Sequence, residues 1–399
     1  MLRTGRVVAR LPRGTATTAL SARRIALHYR PMRTIFLLTA AVAASIGGCS
    51  AVPSREPARP AGDAGRDAAV AALMRDYIGR VPGASVLVLH EGRPLLRRGY
   101  GLANLEAATA ATPQTHYRLA SVSKQFTSAA VLLLAEDGKL RLDDPIKRWL
   151  PSLPAACDAM TIRQLLSHTS GLIDYEEVMP HGRYDDGERQ MRDADVLRVL
   201  EGQNRAYFAA GRGYHYSNSG YALLALIVEQ ASGRRYAEFL RERIFLPLGM
   251  HDAVAYERGV SEVAHRAYGY SFEQGRWRRT DQSPTSAVLG DGGVYASIDD
   301  LARWDAALYD DRLLSAASRR LAFAPHTPTD QAEVEYGYGW RITGETLWHS
   351  GESIGFRNVF VRWPQRRLSV AVLSNRNEPE PYRLALKIAE LYLPDAPIH

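Results

Sequence analysis

Cysteine is nearly missing from this chain: Cys49 and Cys157 are the only two among 399 residues. A disulfide-stapled fold is therefore excluded, and Cys157, with no activating group beside it, reads as a small buried hydrophobe. Lysine is almost as scarce, since Lys124, Lys139, Lys147 and Lys387 are the only lysines among 50 Lys and Arg residues. Acidic residues are absent from the first 48 positions, which carry eight arginines. Those arginines account for the formal charge of +7, so the rest of the chain is near neutral and offers no footprint for nucleic acid. Metal-binding spacings are missing as well. There is no H-E-x-x-H, and no two of the 11 histidines stand at H-x-H or H-x-x-x-H spacing, so no metal site and no cofactor is expected. Beyond the leader, no apolar run is long enough to span a bilayer.

What is present begins with that leader. Met32 to Ser50 reads MRTIFLLTAAVAASIGGCS: one positive charge, an apolar run from Ile35 to Ile46, then small residues. This is the layout of a secretory signal peptide, too short for a comfortable membrane span. Ile46-Gly47-Gly48-Cys49 also resembles the lipobox of bacterial lipoproteins, in which the cysteine is lipidated and becomes the new N-terminus. An ordinary signal peptide cleaved nearby is the alternative, and Met32 competes with Met1 as the start. Residues 1–48 are thus read as leader and residues 49–67, rich in Pro, Ala and Gly, as a flexible tether. The expected location is the periplasm or cell envelope, with membrane attachment only through lipid on Cys49.

Residues 68–399 read as one catalytic unit. A helix from about Ala68 to Gly79 precedes two strand-like runs joined at Glu91-Gly92, a hairpin signal. From Ser121 to about Arg320 the pattern is mostly helical, with Ser297 or Asp299 a plausible N-cap for IDDLARWDAAL. Strands return in EYGYGWRI, ETLWHSG, FRNVFVRWP and RLSVAVLSN, and PYRLALKIAELY closes the chain as a helix. The fold class is therefore mixed α/β, of the α+β kind. One antiparallel sheet is built from N- and C-terminal strands, flanked by helices, with a mainly helical subdomain inserted.

The stretch RLASVSKQFTSAAVLLLAEDGKL places the rare Lys124 three residues after Ser121, at the entry to an apolar helix. Residues at i and i+3 share a helix face, and a helix N-terminus favours negative charge. A serine there has its developing alkoxide stabilised, and a desolvated amine nearby is pushed toward its proton-accepting form. The bland alternative is a helix cap beside a solvated lysine. Two further stretches alter the balance: Tyr216-Ser217-Asn218 stands immediately before an apolar helix, and His349-Ser350-Gly351 ends a strand.

In the order S-x-x-K, Y-x-N, H-x-G, the chain resembles the serine β-lactamase and penicillin-binding-protein superfamily, in the branch of class C β-lactamases, DD-peptidases and related esterases. LDDPIKRWLP, TIRQLLSHTSGL, YSNSGYALL, DGGVYASIDDLARW and YGYGW look like the same family, so the resemblance runs from about Ala84 to Asn375. It implies that Ser121 forms an acyl-enzyme while Lys124 and Tyr216 exchange its proton, in an undecided division of labour. It implies that Asn218 orients Lys124 and meets the substrate amide. His349, Ser350 and Gly351 would form the opposite cleft wall, and the Glu352 N–H would complete an oxyanion hole with that of Ser121. The family's usual lysine in the third motif is replaced by His349, mostly neutral at pH 7. A substrate carboxylate should then be held weakly, or by another group such as Arg357. The implied function is a serine hydrolase cleaving ester or amide/D-peptide bonds of small-molecule or peptide substrates, of the esterase, D-aminopeptidase or DD-carboxypeptidase type. A dedicated β-lactamase is the alternative, and a catalytically silent cell-wall peptide-binding protein a further one. Gly351-Glu352-Ser353-Ile354-Gly355 spells the G-x-S-x-G elbow of α/β-hydrolases, but a strand-like run follows where that elbow needs a helix.

Overall fold

The computed structural model describes residues 61–180 and 189–393, with the backbone alone for residues 61–64. The predicted leader, Cys49 and most of the predicted tether lie outside these residues. The first helix, α1 (Ala61–Leu73), begins within the stretch read as tether and ends earlier than expected, followed by a 3₁₀ turn at Arg75–Tyr77.

The centre is an eight-stranded antiparallel sheet. Its strands are β1 (Ala84–His90), β2 (Arg93–Tyr100), β3 (Thr327–Pro328), β4 (Glu335–Tyr336), β5 (Arg341–Thr343), β6 (Thr346–Ser353), β7 (Phe356–Trp363) and β8 (Leu368–Ser374). The order β3-β4-β5-β6-β7-β8-β1-β2 joins the two ends of the chain at β1 and β8, where Ala84 faces Ser374 and His90 faces Leu368. The β1–β2 turn carries Glu91 and Gly92 at φ +51° and +75°, the left-handed geometry of a tight hairpin.

Both faces of the central strands β1, β7 and β8 are covered, which is why they read as nearly continuous apolar runs. Val86, Val88, Val359, Val361, Val370 and Val372 pack with Val70 of α1 and Met74 just after it, and with Ala385 and Ile388 of the closing helix Tyr382–Glu390. The alternate residues Leu87, Leu89, Phe360, Ala371 and Leu373 join the core of the helical lobe. That lobe is built around the helices Lys124–Glu136, Asn218–Ser232 and Ile298–Ala307. Of the two cap candidates it is Ser297, not Asp299, that caps the last, accepting from the Asp300 N–H. Cys157 is buried here, and burial pushes its thiol up to about 11.

The middle of the chain is less uniformly helical than its pattern implies. Tyr117–Arg118, Val294–Ala296 and Val254–Ala255 form a small antiparallel ladder, and Tyr270–Glu273 pairs with Arg276–Arg279 in a hairpin. The ladder positions the functional residues, because it sets Leu119 and the residues after it against the segment before Val294. Among the described residues no helix is long and apolar enough to cross a membrane.

Candidate active site

Ser121 does not stand in the first α-helical turn. It lies in a 3₁₀ turn, Ala120–Ser123, and the α-helix begins at Lys124. Ala120, just before it, has φ +49°, a left-handed conformation that costs a non-glycine residue of order 1–2 kcal/mol. The strain is held in place from several directions. Asn358 on β7 donates from Nδ2 to the Arg118 carbonyl at 2.8 Å, the Leu119 N–H donates to Val294 at 2.8 Å, and Val294 donates to Ser123 Oγ at 3.1 Å.

Lys124 is completely buried. Its Nζ lies 3.0 Å from Ser121 Oγ, 2.8 Å from Asn218 Oδ1 and 2.9 Å from the backbone carbonyl of Asp291. Asn218 and the Asp291 carbonyl can only accept at these oxygens, so two amine protons are committed to them. The third tetrahedral direction faces the serine hydroxyl, which can give or take a proton. The same geometry therefore serves the charged amine as a donor to Oγ and the neutral amine as an acceptor from it. The Tyr216 ring centre lies 4.9 Å from the same nitrogen. Ser121, Lys124, Tyr216 and Asn218, gathered from two distant stretches of chain, thus share one space.

The Tyr216 turn is fixed by residues that the sequence motifs do not name. His168 Nδ1 accepts from the Ser217 N–H at 3.1 Å, and its ring lies 4.3 Å from that of Tyr216. The Asn218 N–H donates to the carboxylate of Asp174. Both residues lie in or beside TIRQLLSHTSGL, so the only sequence signal was that flanking text. Asp291 is also buried. Its carboxyl accepts from the Tyr175 hydroxyl at 2.9 Å, and burial pushes it up to about 8 against the pull of the Lys124 cation.

The third motif lies on β6, at the wall expected. An added Cβ on Gly351 would lie 2.0 Å from the Leu119 carbonyl oxygen, so the strand meets the turn carrying Ser121 at backbone distance. Ser350 is half-buried, and Glu352 is exposed.

His349 and Arg357 are both engaged inside the protein. His349 is buried at 1 % exposure. Its Nδ1–H donates to the Ser350 carbonyl at 2.6 Å, which leaves Nε2 to accept from the Tyr336 hydroxyl at 3.0 Å. Burial, with the Arg341 and Lys124 cations, holds the ring well below the usual histidine range. It is a neutral strut with both nitrogens engaged inside the protein, and a carboxylate cannot be anchored by its charge. Arg357 pairs with Glu352 at 2.5 Å and donates to the Ser353 and Phe356 carbonyls, so it is committed as well.

Sheet, helical lobe and converging motifs define the class of serine hydrolases of the penicillin-binding-protein type. The chain belongs to the beta-lactamase family, whose model matches residues 67–393. It is 35% identical over 324 residues to penicillin-binding protein 4* of Bacillus subtilis (strain 168), covering 77% of this chain and 71% of that one. It is 33% identical over 315 residues to a D-aminopeptidase of Gluconobacter oxydans (strain 621H), covering 77% of this chain but only 58% of that protein. Among solved structures it resembles the octameric penicillin-binding protein homologue from Pyrococcus abyssi, with a TM-score of 0.74, 27% identity and coverage of 83% and 77%.

Proposed function

We propose that this chain is an exported hydrolase that forms an acyl-enzyme on Ser121 and cleaves ester or D-peptide-type amide bonds. The observation that carries the reading is the placement of a buried amine 3.0 Å from the Ser121 hydroxyl, with its other two hydrogen-bonding directions occupied by carbonyl oxygens. As the Ser121 Oγ–C bond forms, the hydroxyl proton passes to Lys124. The carbonyl oxygen takes up negative charge, stabilised by the backbone N–H groups of Ser121 and Glu352. Collapse breaks the bond to the leaving group, which receives the proton from Lys124 directly or through the Tyr216 phenol. Water then attacks the ester, gives its proton along the same path, and Ser121 regains its own. Asn218 holds Lys124 through Oδ1, leaving its NH₂ group to meet the substrate amide.

The neutral, buried His349 supports the order of preference among substrates. With no lysine in the third motif, tight holding of a carboxylate by that position is lost, which argues for esters and D-amino-acid derivatives over β-lactams. The similarity to a D-aminopeptidase points the same way. The leader and Cys49 support a lipid-anchored location in the cell envelope.

Ser121→Ala should reduce turnover of a short-chain p-nitrophenyl ester by about a million-fold, and Lys124→Ala by nearly as much, with the double variant no worse than either. Undiminished turnover by Ser121→Ala would refute the mechanism. A side-by-side rate panel of that ester, a D-alanyl-D-alanine peptide, a D-amino-acid amide and a chromogenic cephalosporin ranks the substrate classes.

A further inference from the structure

One of the three oxygen atoms around Lys124 Nζ is a main-chain carbonyl, that of Asp291, and a carbonyl is only as well placed as the backbone carrying it. It belongs to a single helical turn, Leu289–Gly292, too short to hold itself. Thr127 Oγ1 grips the turn by donating to the Gly290 carbonyl at 2.6 Å, and Tyr175 grips it through the Asp291 carboxyl at 2.9 Å. Its N–H groups are held by a residue almost a hundred positions away. Asp193, first in the helix Asp193–Glu201, accepts from the Leu289 N–H through one carboxylate oxygen and from the Gly290 N–H through the other, both at 3.0 Å.

We propose that Asp193 is a positioning residue for Lys124: its carboxylate fixes the Leu289–Gly292 turn, and the turn fixes the amine against the Ser121 hydroxyl. The proposal rests on the reading of Ser121 as nucleophile. Two N–H bonds to one carboxylate are charge-assisted and set both the height and the rotation of the turn. Without them two buried donors are orphaned, and the turn relaxes toward whatever satisfies them. The Asp291 carbonyl then shifts, and Lys124 follows it. Small misplacements of this kind are costly to catalysis, about a hundredfold for 1 Å.

Asp193 also lines a cavity of about 390 Å³ that it shares with Ala225, Glu229, Tyr236, Tyr256 and Leu289, and that none of Ser121, Lys124 and Tyr216 lines. It keeps 8 % exposure there. Burial and the nearby Glu229 push its carboxyl up, and the two N–H bonds pull it down, leaving it at about 7, so the charge-assisted form is the one present above that pH. The carboxylate can therefore be removed and replaced from outside without passing through the substrate cleft.

The test uses Asp193→Ala and Asp193→Asn in the full chain, with p-nitrophenyl acetate as substrate and circular dichroism to verify folding. Asp193→Ala should lose about a hundredfold in kcat with KM nearly unchanged. Asn keeps one acceptor and presents an NH₂ group to the other donor, so its loss should be intermediate. Formate should restore kcat of Asp193→Ala saturably while leaving the unsubstituted protein unaffected. Unchanged kcat in either folded variant overturns the proposal. So does a loss that appears in KM, or one that formate leaves untouched. If Asp193→Ala does not fold, kcat and KM of Asp193→Asn decide by the same criteria. Turnover surviving Ser121→Ala would instead defeat the hydrolase reading, whatever Asp193 does.

Discussion

His349 occupies the position where a lysine would present a fixed charge, yet its ring is closed in by Tyr336 and the Ser350 carbonyl. Restoring the charge is therefore not a simple exchange of specificity. A lysine there would place an ammonium where a neutral ring now makes two hydrogen bonds, beside a second buried amine on Lys124. His349→Lys should destabilise the protein by at least about 2 kcal/mol and lower kcat on every substrate class, including those bearing a carboxylate. Chemical denaturation read beside the ester and D-alanyl-D-alanine rates checks this. A variant that kept full stability and gained rate on the carboxylate substrate would mean that the side chain at this position reaches the cleft after all.

At the scale of elements, the proposed catalysis depends on how closely β6 approaches the 3₁₀ turn at Ala120–Ser123. Gly351 has an ordinary strand role in the sequence, and the reason for glycine is purely the neighbour: the Leu119 carbonyl occupies the space of a side chain. Gly351→Ala should force the strand and turn apart, widening the cleft between Ser121 and the Glu352 N–H. The expected result is a loss of kcat of at least about a hundredfold, with a lower thermal midpoint. Ester kinetics and a melting curve on the same sample provide the measurement. A fully active Gly351→Ala would show that the two elements can separate without consequence.

For the whole molecule, the contact between sheet and helical lobe contains a buried ion pair. Arg362 on β7, 0 % exposed at its side chain, donates from Nε to Asp305 of the Ile298–Ala307 helix at 2.6 Å, and Ser369 on β8 donates to the same oxygen at 2.6 Å. Arg362 also lies over the Tyr309 ring, at 4.6 Å. Removing one charge strands the other in a low-dielectric interior. Arg362→Met should cost about 3–5 kcal/mol in urea unfolding, and the pair Arg362→Met with Asp305→Leu considerably less. Equal losses in the single and double variants would mean that the cost is one of shape rather than of unpaired charge.

The sequence determined much of this protein directly. Residue type and spacing dictated the strand runs, the Glu91-Gly92 hairpin, a cap at Ser297 or Asp299 and the three motifs, because each is a local matter of periodicity, backbone freedom or side-chain chemistry. The tertiary structure decided the rest. Nothing in Arg-Leu-Ala-Ser announces a left-handed Ala120, because only the ladder with Val294 and the bond from Asn358 impose it. Likewise Asp174, Asp193 and Asp291 acquire their roles from partners 44 to 167 positions away, and His349 acquires its own from Tyr336 on β4. A side chain's charge and reach are written in its own chemistry, but its dielectric surroundings and its hydrogen-bonding partners exist only once distant segments have packed together.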